Sequence, residues 1–211
     1  MRKFLKRMTG IFLCVAMAAG VYGAIPAYAE GTDTGTDIQA QAAQWPTGPA
    51  VQAASAIIMD ASTGTVLYEK DADTPRYPAS ITKIMTTLLA LENCNLDEMV
   101  HFSATAVYEN EGGTSHIARD LDEEMTLEQC LYGIMLESAN ECSYAVAEHV
   151  GGGDYQKFID MMNAKAAELG CTNTHFNNCN GLPDPAHVVS ARDMALISRE
   201  AIKNSMFRKI V

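Results

Sequence analysis

The chain has 211 residues, with 26 acidic against 15 basic side chains for a formal charge of −11, and 48% of it is hydrophobic. That hydrophobic share suits a globular protein. The negative balance excludes nucleic acid and anionic membrane surfaces as electrostatic partners, because both would repel it.

Residues 1–29 join Arg2, Lys3, Lys6 and Arg7 to an apolar stretch over 11–25 and close on Ala27-Tyr28-Ala29, the pattern of a secretory signal peptide. The stretch is shorter than the roughly 20 residues a spanning helix needs. Cleavage would leave 11 basic against 26 acidic residues, a charge of −15, and five cysteines. Those five, Cys94, Cys130, Cys142, Cys171 and Cys179, show neither a Cys-x-x-Cys pair nor a metal-site spacing, and read as small buried apolar residues. A Cys171–Cys179 bridge stays open. Residues 30–50 hold hardly any large apolar side chain and read as a tether, so the folded domain is expected over 51–211.

Two strand-like runs, Ala56-Ile57-Ile58-Met59 and Thr65-Val66-Leu67-Tyr68, flank a five-residue loop ending in Gly64 and predict an antiparallel hairpin. Such a pair is marginal alone and needs a larger sheet or helices against it. Pro78 then marks the change to helix, and Ile81, Ile84, Met85, Leu88, Leu89 and Leu91 make 80–92 apolar on nearly every side, the mark of a central helix. Residues 93–125 read as short helices and loops. Thr126 with Gln129 forms a capping box that opens a helix carrying Leu127, Cys130, Leu131, Ile134 and Met135. Further helices are expected over 140–149, stopped by Gly151-Gly152-Gly153, and from Asp154 until Gly170. Ser190 with Asp193 begins a last helix.

Chemistry concentrates in two short patterns, each occurring once: Ser80-Ile81-Thr82-Lys83 and Ser138-Ala139-Asn140. Residues three apart share a helix face, so the Ser80 hydroxyl lies near the Lys83 amine. A serine becomes a nucleophile when a base takes its proton, and burial makes the neutral amine accessible by disfavouring its charged form. The positive end of the helix pushes the same way, and the Ser80 backbone N–H is free to hold an oxyanion. The competing reading makes Ser80 an ordinary N-cap, lets Lys83 reach solvent and reduces Ser138-Ala139-Asn140 to a turn. An almost wholly apolar helix argues against it. His101, His116, His149, His175 and His187 show no ligand spacing, so no metal or cofactor is expected.

With these motifs in view, the segment from Pro78 to Thr86 resembles the nucleophile region of serine D-alanyl-D-alanine carboxypeptidases, the low-molecular-mass penicillin-binding proteins. The similarity runs from about residue 54 to the end and includes Asn180-Gly181-Leu182-Pro183 and Asp193-Met194-Ala195. It implies an α+β fold of the penicillin-binding-protein and β-lactamase kind, a helical subdomain packed on an incomplete antiparallel sheet layer flanked by helices. The implied substrate is a peptidoglycan stem peptide ending in D-Ala-D-Ala, cleaved outside the membrane through an acyl-enzyme, with β-lactams as covalent inhibitors. By matched position Ser80 is the nucleophile, Lys83 its base, and Ser138 and Asn140 shuttle protons and orient substrate. The family's third motif, Lys-Thr-Gly, is absent from the 211 residues, which leads to the expectation of a truncated product or fragment with weak turnover. A β-lactamase-like hydrolase and a non-catalytic envelope module remain the alternatives.

Overall fold

The computed structural model describes residues 48–109 and 113–211. The expected signal peptide and all but the last three residues of the expected tether lie outside these. The chain begins with the hairpin β1 (Ala56–Met59) and β2 (Val66–Lys70), paired antiparallel with Ile57 opposite Glu69 and a register shift between Ile58 and Met59. A 3-10 turn, Ala79–Thr82, leads into α1 (Lys83–Asn93). Then come β3 (Met99–His101), α2 (Ala104–Tyr108), β4 (Glu124–Thr126), α3 (Leu127–Leu136), α4 (Asn140–Gly151), α5 (Tyr155–Glu168), α6 (Ala191–Ala201) and α7 (Ser205–Ile210).

Local chemistry sets most of these boundaries. The Thr126 hydroxyl accepts from Gln129 N while the Gln129 side chain takes the Thr126 N–H, so the reciprocal cap starts α3 where the pattern places it. Asp154 and Ser190 cap α5 and α6 one way only, their side chains accepting from Lys157 N and Asp193 N, and Gly152 ends α4 in the left-handed conformation at φ 71°.

Two features depart from expectation. Residues 93–125 contain a two-stranded antiparallel sheet, β3 with β4, closed by sequentially distant pairing that three-residue strands do not announce. The helix begun by Ser190 is not the last, because Asn204 caps the first turn of α7.

The core lies on both sides of α1. One cluster joins Met85, Leu88 and Leu89 to Phe158, Met162, Phe176, Ile197 and Phe207; the other joins Ala90 to Val100, Phe102, Leu131, Ile134 and Val146. Burying each large aliphatic side chain of α1 contributes about 1.5–3 kcal/mol, so the helix that carries the site is also the axis of the fold. The hairpin packs against α6, whose Arg192 pairs with Asp73 and Glu69 and whose Arg199 donates to the Ala61 carbonyl. Ile58 and Leu67 stay at least half exposed, so part of the hairpin is uncovered among the described residues. All five cysteines outside the first 47 residues are unbonded, Cys171 and Cys179 included, with Cys130, Cys142 and Cys179 buried as expected of apolar residues. No helix among the described residues is long and apolar enough to cross a membrane.

Candidate active site

The chain enters the site through Pro78 and through Ala79, held in the left-handed region at φ 53°. The first turn that follows is 3-10, in which side chains three apart eclipse one another. Ser80 and Lys83 are therefore stacked more directly than in an α-turn, and the amine lies 3.3 Å from Ser80 Oγ. Ser80 is exposed while Lys83 is 2% exposed, which gives a hydroxyl open to substrate over an amine shielded from water.

Lys83 Nζ has two further partners, Asn140 Oδ1 and the Asn180 carbonyl, each at 2.8 Å. Desolvation lowers its pKa to about 8 against the opposing pull of Cys179 and Glu141. About a tenth of the population is then neutral at pH 7. A neutral amine carries two protons and one lone pair. With both protons on the two carbonyl oxygens, the lone pair is left facing Ser80, the geometry a general base requires.

Ser138 arrives from the opposite side, on the turn between α3 and α4. Its Oγ donates to Ser80 Oγ over 3.0 Å, and its backbone is left-handed at φ 57°. Such a conformation costs a non-glycine residue about 1–3 kcal/mol and persists only where its surroundings dictate it. Here Glu137 N and Ala139 N both donate to the Gly133 carbonyl, and Asn140 N donates to Ser115 O. Asn140 opens α4, so one rigid turn delivers both polar groups.

The third wall is the loop over 177–187. Thr86 donates to the Cys179 carbonyl at 2.6 Å, and Thr82 contacts His187 Nε2 at 2.8 Å. His187 Nδ1 accepts from Asn177 N and Asn178 N, so Nε2 must carry the proton and donate to Thr82. Burial pushes the His187 pKa down to about 4, so the ring is neutral at ordinary pH. Gly181, at φ 87°, lies so close to the Ser80 turn that a Cβ there would sit 1.8 Å from the Ala79 carbonyl oxygen. A cleft of 290 Å³, lined by Tyr77, Pro78, Ala79, Gly181, Leu182 and Pro183, opens beside this contact.

All four residues singled out from sequence, Ser80, Lys83, Ser138 and Asn140, thus meet within hydrogen-bonding distance. Sequence reasoning missed the Asn180 carbonyl as a lysine partner, the close approach of Gly181 to the Ser80 turn, and His187. A backbone carbonyl has no residue signature, and a histidine 105 positions from its partner Thr82 is invisible to spacing. The one pointer to this loop was the resemblance carried by Asn180-Gly181-Leu182-Pro183.

A hydroxyl held between a shielded amine and a second hydroxyl, at the start of a central helix in an α+β fold, is the arrangement that the resemblance to penicillin-binding proteins implies. The family model for D-alanyl-D-alanine carboxypeptidases, peptidase S11, matches residues 39–210, and the chain belongs to that family. It is 38% identical over 160 residues to D-alanyl-D-alanine carboxypeptidase DacF of Bacillus subtilis (strain 168), covering 75% of this chain and 41% of the relative. It is 36% identical over 205 residues to a D-alanyl-D-alanine carboxypeptidase of Streptomyces sp. (strain K15), covering 92% of this chain and 64% of the relative. The crystal structure of D-alanyl-D-alanine carboxypeptidase DacD from Francisella tularensis superposes with a TM-score of 0.71 at 34% identity, covering 79% of this chain and 40% of that one. The chain therefore spans between about two fifths and two thirds of the length of these relatives.

Two variants probe the third wall. Gly181→Ala forces the loop off the Ser80 turn, and is expected to slow acylation of Ser80 at least about tenfold while circular dichroism stays near wild type; an unchanged rate would show that the close approach is dispensable. His187 has a depressed folded pKa, so its contribution to stability is complete above the unfolded value of 6.5 and is lost as pH falls toward 4. Urea melts of His187→Asn should lose less stability than wild type between those pH values, and identical pH profiles would contradict this.

Proposed function

We propose that the protein is a serine-type D-Ala-D-Ala carboxypeptidase that trims peptidoglycan stem peptides outside the cytoplasmic membrane, after export on residues 1–29 and with the tether over 30–50 preceding a catalytic domain from 51 onward. The observation that carries this reading is the shielded Lys83 amine, within hydrogen-bonding distance of Ser80 and of Asn140 together. The names of the relatives support the substrate, a peptide ending in D-Ala-D-Ala, and the likeness to penicillin binding protein 5 of Haemophilus influenzae supports β-lactams as the class of covalent inhibitor.

In this mechanism neutral Lys83 takes the Ser80 proton as Oγ attacks the carbonyl of the penultimate D-alanine. The Ser80 N–H, in the first turn of the helix and without a helical acceptor, supports the oxyanion. Collapse of the tetrahedral adduct expels D-alanine, whose amine needs a proton. Ser138 is placed to pass one on, because its hydroxyl already bonds Ser80 Oγ and the ammonium of Lys83 lies behind it. Asn140 gives its carbonyl to Lys83, which leaves its amide N–H groups for the substrate backbone. The remaining acyl-enzyme is an ester on Ser80, and water resolves it with the same base. No metal or cofactor is invoked for any of these steps.

Incubation with a fluorescent penicillin is expected to give one covalent adduct, mapped by mass spectrometry to Ser80 and absent in Ser80→Ala. The adduct should form faster as pH rises through about 8, because deprotonation of Lys83 supplies the base. Parallel assays for D-alanine release separate a carboxypeptidase from a β-lactamase, which would instead turn the penicillin over. Labelling that persists in Ser80→Ala, or a folded protein that takes no label, would overturn the reading.

A further inference from the structure

Cys94 and Glu98 follow the end of α1 and His149 lies 51 residues further on, yet their donor atoms, one sulfur, one carboxylate oxygen and one ring nitrogen, all lie within 4.8 Å of one another. We propose that these three side chains form a binding site for a divalent transition-metal ion of the zinc class, remote from Ser80, that ties together the far ends of the two helices carrying Lys83 and Asn140.

The donor set suits that ion. Thiolate, imidazole and carboxylate are the ligands zinc takes, and a fourth position is left for water. Tetrahedral bonds of about 2.0–2.3 Å place donors roughly 3.3–3.8 Å apart, so every donor pair lies within about an ångström of the spacing it needs, the widest closing and the His149–Glu98 pair opening. His149 Nε2 and Glu98 Oε2 are already 2.8 Å apart. The ion would replace that hydrogen bond, with the ring proton moving to Nδ1 and the Cys94 thiol proton passing to solvent. Outer contacts hold the carboxylate in place, since Asn95 donates to Glu98 Oε1 from its backbone N at 2.6 Å and from its side chain at 3.0 Å. Those bonds leave Oε2 to face the cluster, as second-shell partners do at metal sites.

The backbone favours a cation here as well. Cys94 is the C-cap of α1, and His149 lies in the last turn of α4, so the negative ends of two helix dipoles converge on one point. His149 also lines an open cleft of 450 Å³ with Met99, His101, Ser103 and Glu148, which gives an ion a route in. Spacing rules missed the set because its members lie 4 and 51 residues apart and meet only once α1 and α4 are packed side by side.

Titrating the reduced full-length protein with Co²⁺ tests this, because a cobalt–thiolate bond absorbs by charge transfer whereas cobalt held only by nitrogen and oxygen does not. The expected result is one equivalent of Co²⁺ with a charge-transfer band that Zn²⁺ competes away. The band should be abolished in Cys94→Ser, require more Co²⁺ in His149→Gln, and be retained in Cys171→Ser, which removes the other partly exposed cysteine among the described residues. In the unmutated protein Zn²⁺ should slow alkylation of Cys94 by iodoacetamide at least tenfold by peptide mass mapping, a readout that needs no variant to fold. Absence of the band, its persistence in Cys94→Ser, or equal alkylation with and without Zn²⁺ would overturn the proposal.

Discussion

The site depends on one amine kept away from water. Lys83 is nearly inaccessible, and its Nζ is shared among a serine hydroxyl, a side-chain carbonyl and a backbone carbonyl. Burying a charged lysine in an apolar helix is unfavourable, and the protein answers by lowering its pKa and by surrounding it with acceptors. Each acceptor belongs to a different segment. The need to satisfy one cation therefore draws the start of α1, the start of α4 and the loop over 177–187 to a single point.

Placing those segments has local costs that the rest of the fold offsets. Ala79 and Ser138 sit in left-handed backbone conformations, and Gly181 is in van der Waals contact with the turn that carries Ser80. Strain of this kind holds only when the flanking structure is rigid. Rigidity comes from the two apolar clusters on either side of α1 and from the hydrogen bonds that Thr82 and Thr86 make to the loop. Neutral His187 is a wedge between loop and helix, its two ring nitrogens engaged in opposite senses. The same two helices, α1 and α4, present Lys83 and Asn140 at one end and Cys94 and His149 at the other, where Glu98, from the segment after α1, bonds His149.

Much of this was legible from residue order. The capping box at Thr126, the glycine stop of α4 and the apolar run of α1 are local signals, and each produced the element expected of it. The four residues of the two motifs were recoverable because a helical turn relates Ser80 to Lys83 and a tight turn relates Ser138 to Asn140. What stayed hidden is whatever depends on distant parts of the chain meeting. The pairing of β3 with β4 involves strands too short to show a period, and α7 follows a break of only a few residues. The Asn180 carbonyl belongs to the backbone and carries no side-chain identity, while His187 and the Cys94 cluster acquire meaning only from packing.

The central claim, that Lys83 is a base poised near neutrality, is tested most directly by an NMR titration of its ε position in protein carrying isotope-labelled lysine, assigned by comparison with Lys83→Arg. The account requires a single lysine resonance that titrates near pH 8, well below its ordinary value of 10.5. A Lys83 signal that titrates at the ordinary value of 10.5 would contradict it.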